Sequence, residues 1–120
     1  MTKVLVVEDM PSEMAFISSL LREAGYMVIE ALGAKEALEK ISQYKPDVVI
    51  TDVVMPEMSG FELCRALKKN PETEKLPVVV CSSKNQELDR LWAMKQGADA
   101  YVTKPFTRDD LVRALKSVVM

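Results

Sequence analysis

Five times along this chain a short run rich in valine and isoleucine gives way to a segment with apolar residues at helical spacing. The apolar runs are Lys3–Val7, Met27–Ala31, 47–51, 78–81 and Ala100–Thr103. Strands that alternate with helices predict an α/β fold: a parallel sheet, right-handed crossovers, and helices on both faces. The run Asp-Val-Val-Ile-Thr at 47–51 has no polar alternation, as expected of a strand covered on both sides. Val4, Val6, Val48, Ile50, Val78 and Val80 are the core candidates on these strands. At 120 residues, the span 1–120 is expected to form a single domain.

The helical segments carry their own start and stop signals. Pro11 and Ser12 open the first, with Met14, Ile17, Leu20 and Leu21 on one face and Gly25 after it. The second runs over 34–43 with Ala37, Leu38 and Ile41 together. Ser59 with Glu62 predicts a capped third helix to about Lys69, and Ser83 with Gln86 a capped fourth one ending at Gly97. Thr107 with Asp110 caps a last helix through Leu111, Leu115 and Val118. Trp92 neighbours Leu88 and Leu91 on the fourth helix, a pattern that favours half-buried packing over an exposed partner anchor.

In a parallel sheet every strand ends on the same edge, and open α/β folds place their ligands there. Glu8 and Asp9 follow the first strand, Asp52 the third, Ser82 the fourth and Lys104 the fifth. Three acids, one hydroxyl and one ammonium group should therefore converge. Clustered carboxylates repel one another, and a cation that prefers oxygen ligands, Mg²⁺ above all, relieves them. A cation, a carboxylate nucleophile, a hydroxyl and an ammonium are what phosphoryl capture on an aspartate requires.

Composition removes other classes. The chain holds no histidine, which excludes histidine acid–base catalysis and a phosphohistidine within it. A net charge of −2 with both signs interspersed argues against direct nucleic-acid binding. Cys64 and Cys81 read as reduced thiols of a cytoplasmic protein. No apolar run reaches membrane-spanning length, and the start is a strand meeting charge at once, not a signal peptide. An aspartate-nucleophile phosphatase would want a second acid two residues after Asp52, where Val54 stands. A flavodoxin-like cofactor binder would want a Ser/Thr/Gly loop after the first strand, where Glu8-Asp9-Met10-Pro11 offers the wrong charge for a phosphate. Neither a P-loop nor a dinucleotide glycine fingerprint occurs.

The pair Glu8-Asp9, the segment Asp52-Val-Val-Met-Pro-Glu-Met-Ser-Gly60, the segment Val78-Val-Val-Cys-Ser-Ser83 and the segment Tyr101-Val-Thr-Lys-Pro-Phe106 together resemble the receiver domains of two-component response regulators, in the small stand-alone CheY-like class. The tract Ser83-Lys-Asn-Gln-Glu-Leu-Asp-Arg-Leu-Trp92 with Lys95-Gln-Gly-Ala98 is further similar to the PilH-type regulators of type IV pilus motility.

The resemblance implies a flavodoxin-like doubly wound sheet of order 2-1-3-4-5 with five helices. It implies that Asp52 accepts a phosphoryl group from a sensor histidine kinase. Mg²⁺ would be held by Asp9, Asp52 and the Val54 backbone carbonyl, with Glu8 acting mostly through water. Lys104 would pair with Asp52 beforehand and clamp the phosphoryl group afterwards, and a cis peptide is implied between it and Pro105. Ser82 would be the switch hydroxyl, with Ser83 its alternative, and Tyr101 the aromatic that moves with it. The output would be a protein target docking on the fourth helix, fifth strand and fifth helix, in chemotaxis or pilus motility, from a monomer or a weak phosphorylation-dependent dimer. Such a chain is a phosphoacceptor and not an enzyme, and Val54 with Lys84 imply slow to moderate self-dephosphorylation. A pseudo-receiver that binds partners without phosphorylation is the alternative; it would be marked by loss of Asp52, Asp9 or Lys104, all present here.

Overall fold

The computed structural model describes residues 1–119. Its elements are β1 (Lys3–Val7), α1 (Pro11–Glu23), β2 (Met27–Ala31), α2 (Ala34–Tyr44), β3 (Val48–Asp52), α3 (Gly60–Lys69), β4 (Val78–Ser82), α4 (Glu87–Lys95), β5 (Ala100–Thr103) and α5 (Arg108–Val118). The strands form one parallel sheet in the order β2-β1-β3-β4-β5, the expected order.

Because side chains alternate along a strand, each strand feeds two separate cores. Leu5, Val7, Val49, Val78 and Val80 pack with Ala37 and Ile41 of α2 and with Leu63, Cys64 and Leu67 of α3. Val4, Val6, Val48, Ile50, Val79 and Cys81 pack with Met14, Ile17 and Leu21 of α1 and with Leu111 and Leu115 of α5. All six expected core residues are fully buried. Both cysteines are buried free thiols, and burial pushes the Cys64 thiol up to about 11 and that of Cys81 up to about 12. Among the described residues no helix is long and apolar enough to cross a membrane.

Three local readings are corrected. β3 starts one residue later than expected: the Asp47 carboxylate accepts the Lys3 N–H at 2.7 Å and so fastens the strand's start from outside it. α2 runs on to Tyr44 and ends at Lys45 in the left-handed region, φ 50°, where no glycine marks the stop. α4 is capped by Gln86, not Ser83; the Asp89 carboxylate reaches back to the Gln86 N–H at 3.1 Å. The caps at Ser59 and Thr107 are as expected, their hydroxyls accepting from Glu62 and Asp110.

α4 also corrects the reading of Trp92. Of this helix only Ala93 is buried, while Leu88, Leu91 and Trp92 are 74%, 55% and 55% exposed. Their i, i+3, i+4 spacing does make a stripe, but the stripe faces outward.

Candidate functional site

Register explains why the expected residues meet. Val7, Thr51, Val80 and Tyr101 are successive partners across β1, β3, β4 and β5. One step further along the strands stand Glu8, Asp52, Cys81 and Val102, with Asp52 paired to Cys81 and Cys81 to Val102. Ser82 pairs with Thr103 in the next row, and the Lys104 N–H donates to the Ser82 carbonyl at 2.8 Å. The Glu8 N–H donates to the Ala31 carbonyl at 3.0 Å, which holds Glu8 in line with β1.

Glu8, Asp9 and Asp52 each place a carboxylate oxygen within 4.8 Å of the others. Glu8 is almost wholly buried; its Oε2 accepts the Met10 N–H at 3.2 Å and its Oε1 lies 3.2 Å from Lys104 Nζ. Lys104 Nζ is 3.5 Å from Asp52 Oδ1, the expected ion pair. It also donates to Glu13 Oε2 on the first turn of α1. Glu13 was not among the residues expected here. From sequence it is only an acid in a helix's first turn, a place where acids are favoured by the helix dipole anyway.

The electrostatics follow from this crowding. Burial raises the Glu8 carboxyl to about 7; the Met10 N–H and Lys104 pull it down, while Glu13 and Asp52 push it up. Burial alone would lower the Lys104 ammonium, but Glu13, Asp52 and Glu8 outweigh that and raise it above its ordinary value. The hydrogen bond from Lys104 holds Glu13 below the usual carboxylate range.

Asp52, Val54, Ser82, Lys84, Tyr101 and Lys104 line one cavity of about 420 Å³, which Trp92 also borders. Ser82 is buried and its hydroxyl accepts the Lys84 N–H at 3.2 Å. Ser83 is exposed; it lines this cavity too, and also a neighbouring one with Phe16 and Phe106. Tyr101 is buried, its hydroxyl donating to the Lys84 carbonyl at 2.7 Å, and the Arg90 guanidinium stands 5.9 Å from the ring centroid. The β4–α4 loop is thus tied to both Ser82 and Tyr101 through Lys84. The Lys104–Pro105 bond is cis, as the resemblance implied.

The loop after Asp52 is fixed at both ends. Met55 is buried in the α2–α3 core, and the Gly60 N–H donates to the Val53 carbonyl at 2.8 Å. Val54 is left 77% exposed at the cavity's mouth.

A doubly wound parallel sheet with an acidic trio and a lysine on its carboxyl edge is the architecture of the CheY-like proteins. The chemotaxis protein CheY4 of Vibrio cholerae superimposes with a TM-score of 0.91 at 33% identity, over 99% of each chain. Residues 4–116 match the response regulator receiver domain, and the chain belongs to that family. It is 37% identical to protein PilH of Pseudomonas aeruginosa over 99% of its own length and 98% of that protein. It spans about half of some other relatives, such as the phosphate regulon transcriptional regulatory protein PhoB of Rhizobium meliloti, at 35% identity over 98% of this chain.

Proposed function

We propose that this receiver accepts a phosphoryl group on Asp52 in the presence of Mg²⁺ and signals the change to a protein partner. The observation that carries the reading is the convergence of Glu8, Asp9 and Asp52 within 4.8 Å, with Lys104 beside them in a cavity open to solvent. The donor set is all hard oxygen, suited to Mg²⁺, which keeps several waters and takes few protein ligands. Asp9, Asp52 and the Val54 carbonyl would hold the ion. Glu8 would act through water, since both its oxygens already accept hydrogen bonds. Bound there, the ion would offset negative charge on the incoming phosphoryl oxygens.

The Asp52 carboxylate oxygen attacks phosphorus on a kinase phosphohistidine. The P–O bond forms, the P–N bond breaks, and the imidazole nitrogen keeps the electron pair. Lys104 moves from Asp52 to a phosphoryl oxygen, a fixed positive charge where negative charge develops. The Ser82 hydroxyl turns to another phosphoryl oxygen, which draws the β4–α4 loop inward. The Lys84 carbonyl that holds the Tyr101 hydroxyl moves with that loop, so the aromatic repacks. Phosphorylation in this way biases two packings of one surface, made of α4, β5 and α5. Leu88, Leu91 and Trp92 are exposed on α4, which supports that face as the docking surface, with Trp92 as an aromatic anchor. The likeness to PilH supports an output in pilus motility, and that to CheY4 one in chemotaxis.

Intact mass after incubation with acetyl phosphate, with and without Mg²⁺ and beside Asp52→Asn, tests the reading. A Mg²⁺-dependent gain of one phosphoryl group that Asp52→Asn abolishes is the expected result. No gain in the unaltered protein would point instead to a phosphate-independent binding module or to one served only by its own kinase.

A further inference from the structure

Glu13 stands outside the acidic trio, yet its carboxylate accepts directly from the ammonium that pairs with Asp52. Lys104 Nζ has three carboxylate neighbours: Glu13 by a direct hydrogen bond, Glu8 at 3.2 Å and Asp52 at 3.5 Å. Asp52 is the most distant of the three. The lysine therefore lies toward α1, drawn off the group it would have to serve. The Lys104 side chain is only 17% exposed while that of Glu13 is 38% exposed, so the cation is confined and its partner sits at the rim. Glu13, with Lys104 and Ser83, lines both the Asp52 cavity and the neighbouring one that Phe16 and Phe106 also line.

An ammonium has three hydrogens to donate, and here three carboxyl groups compete for them. A phosphoryl group arriving on Asp52 adds a fourth acceptor. Its hold on Lys104 depends on what the lysine must give up, and Glu8 is buried too deeply to withdraw. Glu13 can withdraw, being at the rim on a helix's first turn.

We propose that Glu13 is a positioning residue for Lys104: a competing acceptor that parks the ammonium on the α1 side and sets how readily it transfers to an anion on Asp52. The inference rests on the reading of Asp52 as phosphoryl acceptor. It makes the unphosphorylated state partly a product of the Glu13–Lys104 bond, and places a brake on phosphoryl capture in the first turn of α1.

The test is a double-mutant cycle with beryllium trifluoride as the phosphoryl mimic at saturating Mg²⁺, using Glu13→Gln, Lys104→Gln and the pair. Glu13→Gln is expected to tighten the mimic by about fivefold, the scale of one partly exposed ion pair. In the Lys104→Gln background the same change should have no effect. An unchanged affinity in Glu13→Gln alone overturns the proposal, and so does an equal gain in both backgrounds, which would show a general charge effect on the anion. The ¹⁵Nζ resonance of Lys104, read without Mg²⁺ or fluoride, should shift on Glu13→Gln; an unmoved resonance also overturns it. If the unaltered protein binds no mimic in Mg²⁺ although that resonance shifts, the Asp52 reading has failed, and the brake falls with it.

Discussion

Gly60 lies so close to Asp52 that a Cβ on it would stand 2.0 Å from the Asp52 carbonyl oxygen and 3.2 Å from Thr51 Oγ1. The neighbour that would have to yield is β3 backbone inside the sheet, not the end of a flexible side chain. The close approach lets α3 begin directly under the last residue of β3, and it lets the loop between them fold back on the Val53 carbonyl. Gly60→Ala is expected to destabilise the fold by about 3 kcal/mol, the upper end of overpacking costs. Urea denaturation gives the stability change. Acetyl-phosphate labelling of the fraction still folded should fall too, because Asp52 cannot shift without leaving Lys104. A variant as stable as the parent would mean that α3 re-seats freely.

The Glu8 carboxyl, raised by burial to about 7, links cation binding to protons. The folded chain holds this proton more tightly than the unfolded chain does. Without Mg²⁺ the stability from protonated Glu8 is therefore complete below the ordinary carboxylate value of 4.5, and is lost as pH rises through 7. Binding a cation beside the carboxylate demands the ionised form, so Mg²⁺ affinity should climb about tenfold per pH unit below 7 and level off above it. Calorimetric titration from pH 5.5 to 8.5 checks this, and Glu8→Gln should flatten the slope. A flat profile in the unaltered protein would show that Glu8 is already ionised at low pH.

Much of this site was legible because it depends on where strands end. A parallel sheet forces Glu8, Asp52, Ser82 and Lys104 onto one edge once their strands are recognised, and β-branched runs make that recognition easy. Side chains that act across elements were harder to see. Glu13 reaches Lys104 from 91 residues away in sequence, and a first-turn acid carries no mark of that contact. Trp92 was misread because i, i+3, i+4 spacing shows that a stripe exists, not which way it faces. The α4 cap was misplaced because Ser83 has the better capping side chain, while the Ser82 hydroxyl holds the Lys84 N–H and the helix begins only after Gln86.

At the opposite edge of the sheet, Asp99 accepts the Val78 N–H at 2.8 Å and Lys68 Nζ at 3.0 Å, while Lys68 also donates to the Leu76 carbonyl at 3.1 Å. This clasp joins the end of α3, the start of β4 and the turn before β5. Asp99→Ala should cost about 1–2 kcal/mol, since a backbone donor loses its charged acceptor in a partly exposed place. Phosphorylation by acetyl phosphate should be unaffected in rate, because the clasp lies at the far ends of the strands. Denaturant midpoints and labelling rates measured together separate the two. A slowed rate would tie the clasp to the site.

Val54 and Lys84 border the mouth of the Asp52 cavity, and the Val54 side chain is largely exposed there. Neither offers an acceptor that would orient a water for attack on an acyl phosphate; one is apolar and the other a cation. Hydrolysis of the phosphorylated chain should therefore be slow to moderate, with a lifetime of minutes or longer in Mg²⁺ and no phosphatase. Val54→Asn supplies an amide oxygen at that mouth and should shorten the lifetime on the order of tenfold, less than the roughly 10²–10⁴-fold of a true general base because an amide orients the water without taking its proton. Loss of the phosphoryl group, followed by intact mass after the donor is removed, measures both. A lifetime of seconds in the unaltered protein would show that water reaches the phosphorus by a route these two side chains do not govern.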